Sequence, residues 1–278
     1  MLAERRHRCR PFLSVAWHVI IKSGMTRRRF AQALAGLSLL TAPDPAASAT
    51  KGKIYFVQNY LLNDGMELAR WHRFTEQSAV VPELRTLRAI YLEAVIAPHM
   101  PQAMTITEFG SLDHCQSVQR AFASSASYQR GFSEWEAGAE PPYESYSERL
   151  LASTDFNPGF STNGNGSARI FEYRMYHSPA YRQLQALNER FAGSEIAIFH
   201  RTGVNPILYT NALNGDALPN LTYLTPFENM SAREKAWATF TTDPEWLKLR
   251  VESVEKYGHI SSVTHISLWK PAAYSPVK

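Results

Sequence analysis

Glu172, Arg174 and Tyr176 alternate along one short aromatic run, Phe171-Glu172-Tyr173-Arg174-Met175-Tyr176. Alternate side chains of an extended strand share a face. Set into an enclosed space, this trio would orient a ligand. Set between two packed layers, it would be a structural ion pair. His200 and Arg201 lie at the end of an apolar run followed by Gly203. There they are either two cations compensating a helix C-terminus or a histidine poised as a base or haem ligand. His265 and Trp269 share one face of a strand near the end of the chain. His265 could line a pocket or be a satisfied rim histidine. Tyr209 and Tyr223 fall on neighbouring strands, as ligand contacts or as a cross-strand aromatic pair.

Other chemistry is missing from the pattern. His72, His99, His114, His177 and His259 are scattered, without metal-ligand spacing. There is no phosphate-cradling glycine loop, dinucleotide fingerprint or nucleophile elbow. Cys9 and Cys115 are the only cysteines, so a cysteine metal site is excluded. Trp237 and Trp246 sit among apolar helical positions and read as core.

The elements that must carry these residues are clearest in the second half. Strands are predicted over 169–177, 205–213, 218–227 and 260–270. A helix is predicted over 179–202, broken near Gly193. Ser231 with Glu234 has capping-box spacing and opens a helix to about Phe240. Asp243-Pro244-Glu245 opens another, ending at Gly258. The order β-α-β-β-α-β is that of a ferredoxin-like unit.

The first half repeats this order at an offset of 116–118 residues. Lys53–Tyr60 falls against Arg169–Tyr176, Pro101–Phe109 against Pro219–Phe227, and Tyr128 against Trp246. Its strands are predicted near 54–62, 88–97, 102–109 and 143–152, with helices near 65–85 and 111–137. Residues 153–168, rich in Asn, Gly and Pro, read as a linker. The expected fold is α+β: two tandem domains, 50–152 and 169–278, whose sheets face each other as an internal pseudo-dimer and close a barrel. The charged face of the 170–176 strand is expected to point into that barrel.

The chain of 278 residues carries a net charge of +4, but eight basic and only two acidic residues lie in 1–49. The remainder is close to neutral, which argues against a nucleic-acid partner. Thr26-Arg27-Arg28-Arg29-Phe30, a weakly apolar run over 31–40 and Ala46-Ala47-Ser48-Ala49 resemble a twin-arginine export signal, with Met25 as its natural start. The apolar run is too short for a membrane span. The implied partner is the export machinery, and the implied destination is the bacterial periplasm or beyond.

Five segments of the second half, in order, resemble the NIPSNAP family. They are Phe171–Tyr176, Gly193–Pro206, Leu218–Leu224, Arg233-Glu-Lys-Ala-Trp237 and Asp243-Pro-Glu-Trp246. The first half resembles a degraded copy, with Val57 and Asn59 where the Glu-x-Arg pair would be. The resemblance implies the dimeric α/β-barrel superfamily, which includes cofactor-free monooxygenases, haem enzymes and ligand-binding domains. Three readings follow: a module binding a small, partly apolar ligand through Glu172, Arg174, Tyr176, Tyr209 and Tyr223; a cofactor-free or haem-dependent oxidoreductase with His200, Arg201 or His265 in a catalytic role; or a structural protein with a packed barrel.

Overall fold

The computed structural model describes residues 52–78, 87–138, 140–160 and 169–278. The leader and most of the linker lie outside the described residues. Residues Gly52–Lys278 form one compact unit. Among the described residues, no helix is long and apolar enough to cross a membrane.

In the first half β1 (Ile54–Leu62) is followed by α1 (Gly65–Ser78), β2 (Arg88–Ile96), β3 (Gln102–Phe109), α2 (Leu112–Ser124), α3 (Ala126–Glu136) and β4 (Tyr143–Ser153). In the second, β5 (Ile170–His177) is followed by α4 (Tyr181–Arg190), a π-helical turn (Phe191–Glu195), α5 (Ile196–Arg201), β6 (Leu208–Ala212), β7 (Asn220–Phe227), α6 (Met230–Thr242), α7 (Pro244–Tyr257) and β8 (Val263–Pro271). All eight strands close into one antiparallel barrel in the order β1-β3-β2-β8-β5-β7-β6-β4. Each half supplies four consecutive staves, and the halves join where β2 pairs β8 and β4 pairs β6.

Strand alternation sorts the side chains into two environments. One phase fills the lumen: Tyr55, Val57, Ile90, Leu92, Met104, Ile106 and Leu151 from the first half meet Phe171, Tyr173, Leu208, Leu224 and Trp269 from the second. The other phase packs under the outer helices, around Trp71 and Trp135 in the first half and around Phe191, Phe199 and Tyr223 in the second. Cys115 is buried in a further outer cluster with Ile54 and Phe109.

Local chemistry sets the helix ends. Asp243 caps α7 by accepting from the amides of Glu245 and Trp246, and Gly258 ends it with φ 73°. The expected cap at Ser231 is corrected to Asn229, whose side chain accepts from the Ala232 amide, leaving Ser231 inside α6. The helix expected over 111–137 is two, because Ser125 is extended and caps α3 through the Tyr128 amide. The break expected near Gly193 is the π turn, in which Gly193 has ψ −119°. Strand β6 is shorter than the predicted 205–213.

Candidate functional site

The structure brings Glu172, Arg174, Tyr176, Tyr209 and Tyr223 together, but on the outer face of the sheet. The expectation that the charged face of β5 points into the barrel is therefore corrected. Phe171, Tyr173 and Met175 take the lumen phase, so the even-numbered residues must face the helices.

There α6 supplies the partners. Glu172 is fully buried and accepts hydrogen bonds from Arg174 Nε, Arg233 Nε and, at 3.0 Å, Trp237 Nε1. Arg233 and Trp237 are four residues apart, so both point from one face of α6. The Arg174 guanidinium lies 3.7 Å over the Trp237 ring and donates to the Tyr176 hydroxyl at 3.2 Å. Tyr223 Oη donates to the same hydroxyl at 2.7 Å. Burial opposes the charge on Arg174, but Tyr223, Tyr176 and Glu172 outweigh it and raise its pKa. Every charge in this network has a partner. It bonds strand to helix within one half and does not join the two sheets. Tyr209 and Tyr223 are cross-strand neighbours whose rings lie 5.8 Å apart inside the aromatic core, where burial raises both phenols.

His200 is exposed in the last turn of α5. Arg201 is held outside by Asp243 at 2.7 Å and Glu245 at 2.9 Å, so it braces the start of α7. Neither residue is among those lining the lumen cavity. His265 does line an opening. Among the described residues there is no group of three or more His, Cys, Asp or Glu able to hold a metal.

Two cavities bear on these residues. One is the open end of the lumen, about 150 Å³, lined by Asn59, Gln102, Arg149, Tyr173, His265 and Trp269 among others. Apolar side chains fill the barrel behind it. The far end is closed by Phe160 and Val277 and by a polar latch, in which Glu108 accepts from Lys53 Nζ at 2.5 Å and Tyr55 Oη at 2.8 Å. Inside the open end, Gln102 Nε2 donates to Asn59 Oδ1 at 2.6 Å, while Gln102 Oε1 is buried without a partner. Trp269 Nε1 donates to Ser267 Oγ at 2.7 Å. Burial raises the Tyr173 phenol, against the opposing pull of Arg149 and Thr222. The second cavity is an outer groove of about 580 Å³ between the π turn and α7. Buried Glu195 lies at its wall, bonded to Arg190 at 2.7 Å, with the Arg190 guanidinium 5.0 Å over Trp246.

Sequence reading missed the lumen residues Asn59, Gln102, Arg149 and Tyr173. The available signal was strand phase: Ser147, Arg149 and Leu151 alternate along β4, and Leu151 is lumen core.

Residues 171–276 match the NIPSNAP family model. No curated protein matches the chain at a significant level. Among solved structures, a candidate monooxygenase of Lactobacillus acidophilus NCFM is 8% identical with TM-score 0.52, covering 79% of this chain and 93% of its own. An anthrone oxidase-like protein is 10% identical with TM-score 0.52, covering 81% of this chain and 93% of its own. A NIPSNAP family protein of unknown function from Agrobacterium tumefaciens is 19% identical with TM-score 0.35, covering 40% of this chain and 94% of its own. The first two establish a shared fold, and that fold is of the dimeric α/β-barrel type.

Proposed function

We propose that this protein is an exported tandem barrel that binds a small, partly apolar molecule in the open end of its lumen. In this reading the two halves are ferredoxin-like repeats, supported by matching element order and by starts at Ile54 and Ile170, Gln102 and Asn220, and Ala126 and Pro244. The observation that carries binding is Gln102 Oε1, a buried amide oxygen without a partner beside an open cavity. Buried polar atoms in folded proteins are nearly always satisfied, so an orphan at a cavity wall fits a group supplied from outside. A space of about 150 Å³ suits a benzene-sized body. It lies below the ~300 Å³ at which ligand pockets usually begin. Haem is far larger, and the lumen as folded has no room for it.

That small volume favours one competing reading, a packed structural barrel. Native mass spectrometry of the exported protein separates the two. A retained small molecule supports binding, and a bare chain mass that ligand panels do not shift supports the structural role. A cofactor-free oxidative role draws support from the fold shared with the candidate monooxygenase and the anthrone oxidase-like protein. Its test is oxygen uptake on addition of a lumen-binding compound.

Export rests on the leader residues Arg27 and Arg28. Replacing both with Lys is expected to leave the precursor in the cytoplasm. Continued export would refute the twin-arginine assignment and with it the periplasmic destination.

A further inference from the structure

We infer that the occupant of the lumen is a small organic anion, a monocarboxylate on an apolar or aromatic body, and that Arg149 binds its carboxylate. This rests on the lumen-binding reading above and adds the chemical class.

Arg149 is a half-buried cation without a counter-ion among the described residues. The guanidinium reaches the Met175 sulfur at 3.5 Å, and no carboxylate among the described residues lies within ion-pair distance of it. Arg174 and Arg233 are compensated by Glu172, Arg190 by Glu195, and Arg70 by Glu67, whereas half-buried Arg169, just before β5, shares with Arg149 the lack of an ion pair among the described residues. A cation withdrawn from water without a partner is costly, so natural proteins pair it or leave it for a ligand.

The side chain is also held in place. The β6–β7 loop crosses to β4, where Asn214 Oδ1 accepts from the Leu150 amide at 2.6 Å. That contact sets Gly215, at φ 107°, against the Arg149 stem, so close that a Cβ there would lie 3.0 Å from Arg149 Cγ. Tyr173 shares the cavity wall with Arg149, close enough for the guanidinium to oppose the rise that burial gives its phenol. The result is a preorganised planar donor at a cavity mouth, the geometry that suits a carboxylate.

The rest of the lining agrees in sign. The cavity wall contains Arg149, His265, two amides and serine hydroxyls, and no acidic residue. Gln102 marks a second absent partner, because its orphan oxygen can accept from a hydroxyl on the body of the same ligand, away from the carboxylate. Val57, Met104, Met175 and Trp269 form an apolar floor, which favours an organic body over inorganic phosphate or sulfate. Arg149, Asn59 and Gln102 all precede the segment that matches the NIPSNAP model, so the site depends on the first half.

The test compares benzoate, its neutral isostere benzamide, and inorganic phosphate by calorimetry on the purified protein. The Trp269 indole proton, read by NMR, reports lumen occupancy. Benzoate is expected to bind at least tenfold more tightly than benzamide or phosphate and to shift the indole signal. Arg149→Gln is expected to remove that preference, and Arg149→Lys to keep part of it. Ser147→Trp, at the mouth, is expected to block binding. Equal binding of benzoate and benzamide, or an Arg149→Gln protein that retains the preference, overturns the anion assignment and leaves lumen binding standing. Binding of none of the three, with an unmoved indole signal, overturns both. Should Arg149→Gln fail to fold, the wild-type comparison of benzoate with benzamide still decides the question.

Discussion

Glu172 decides how the motif residues should be regarded. Its carboxylate is fully buried yet holds three donors, so removing its charge leaves Arg174 and Arg233 facing a neutral group. Breaking such a buried arrangement costs about 3 kcal/mol or more. Glu172→Gln is predicted to lose roughly that much in urea unfolding, while any lumen ligand binds as before, since the network lies on the other side of the sheet. Glu195 gives a second prediction at this scale. Burial raises its carboxyl above the usual range, against the opposing effect of Arg190. Above the ordinary value of about 4.3, the unfolded chain has released this proton and the folded chain still holds it. Stability therefore falls as pH rises through that window. Glu195→Gln should give a shallower decline of the urea midpoint as pH rises above about 4.3. Alternation along 171–176 was legible in the sequence, and so was the pairing of Tyr209 with Tyr223. The direction of the face was not. It depends on Arg233 and Trp237, 61 and 65 residues beyond Glu172, arriving over the strand.

At the scale of elements, hydrophobic phase and turn residues located all eight strands, with β1 and β3 matched end for end. Helix starts were harder, because several residues near a boundary can cap and tertiary packing selects one. At α6 both Asn229 and Ser231 qualify by type, and the backbone turns at Asn229. Asn229→Ala is predicted to cost about 1 kcal/mol. Ser231→Ala should change stability little, and denaturant midpoints of the two variants check the assignment. The π turn at Phe191–Glu195 had only Gly193 as a signal. It adds a residue to the helix, and such turns often mark functional positions. Here it sets Glu195 inward against Arg190.

For the whole molecule, closure matters more than either half. The lumen core takes side chains from both halves, and β2–β8 and β4–β6 are ladders between them. Neither half alone could cover its lumen face or pair those strands. Fluorescence and far-UV circular dichroism should therefore report one coincident unfolding transition. Two separate transitions would show that the halves fold independently. A closed barrel also leaves no strand edge free for pairing with other chains. The order of strands and helices was readable from one sequence, but the lumen site was not. It assembles Asn59, Gln102, Arg149 and Tyr173 from four strands far apart in the chain.

Cys115 turns this architecture into a clock. It sits on the buried face of α2, 1% exposed, and burial pushes its thiol pKa up, so it reacts only when that layer opens. Among the described residues it is the single thiol. The rate at which a disulfide reagent modifies it measures the opening free energy of the first-half helix layer directly. Because the barrel is shared, a lumen ligand touching neither Cys115 nor α2 should slow that reaction.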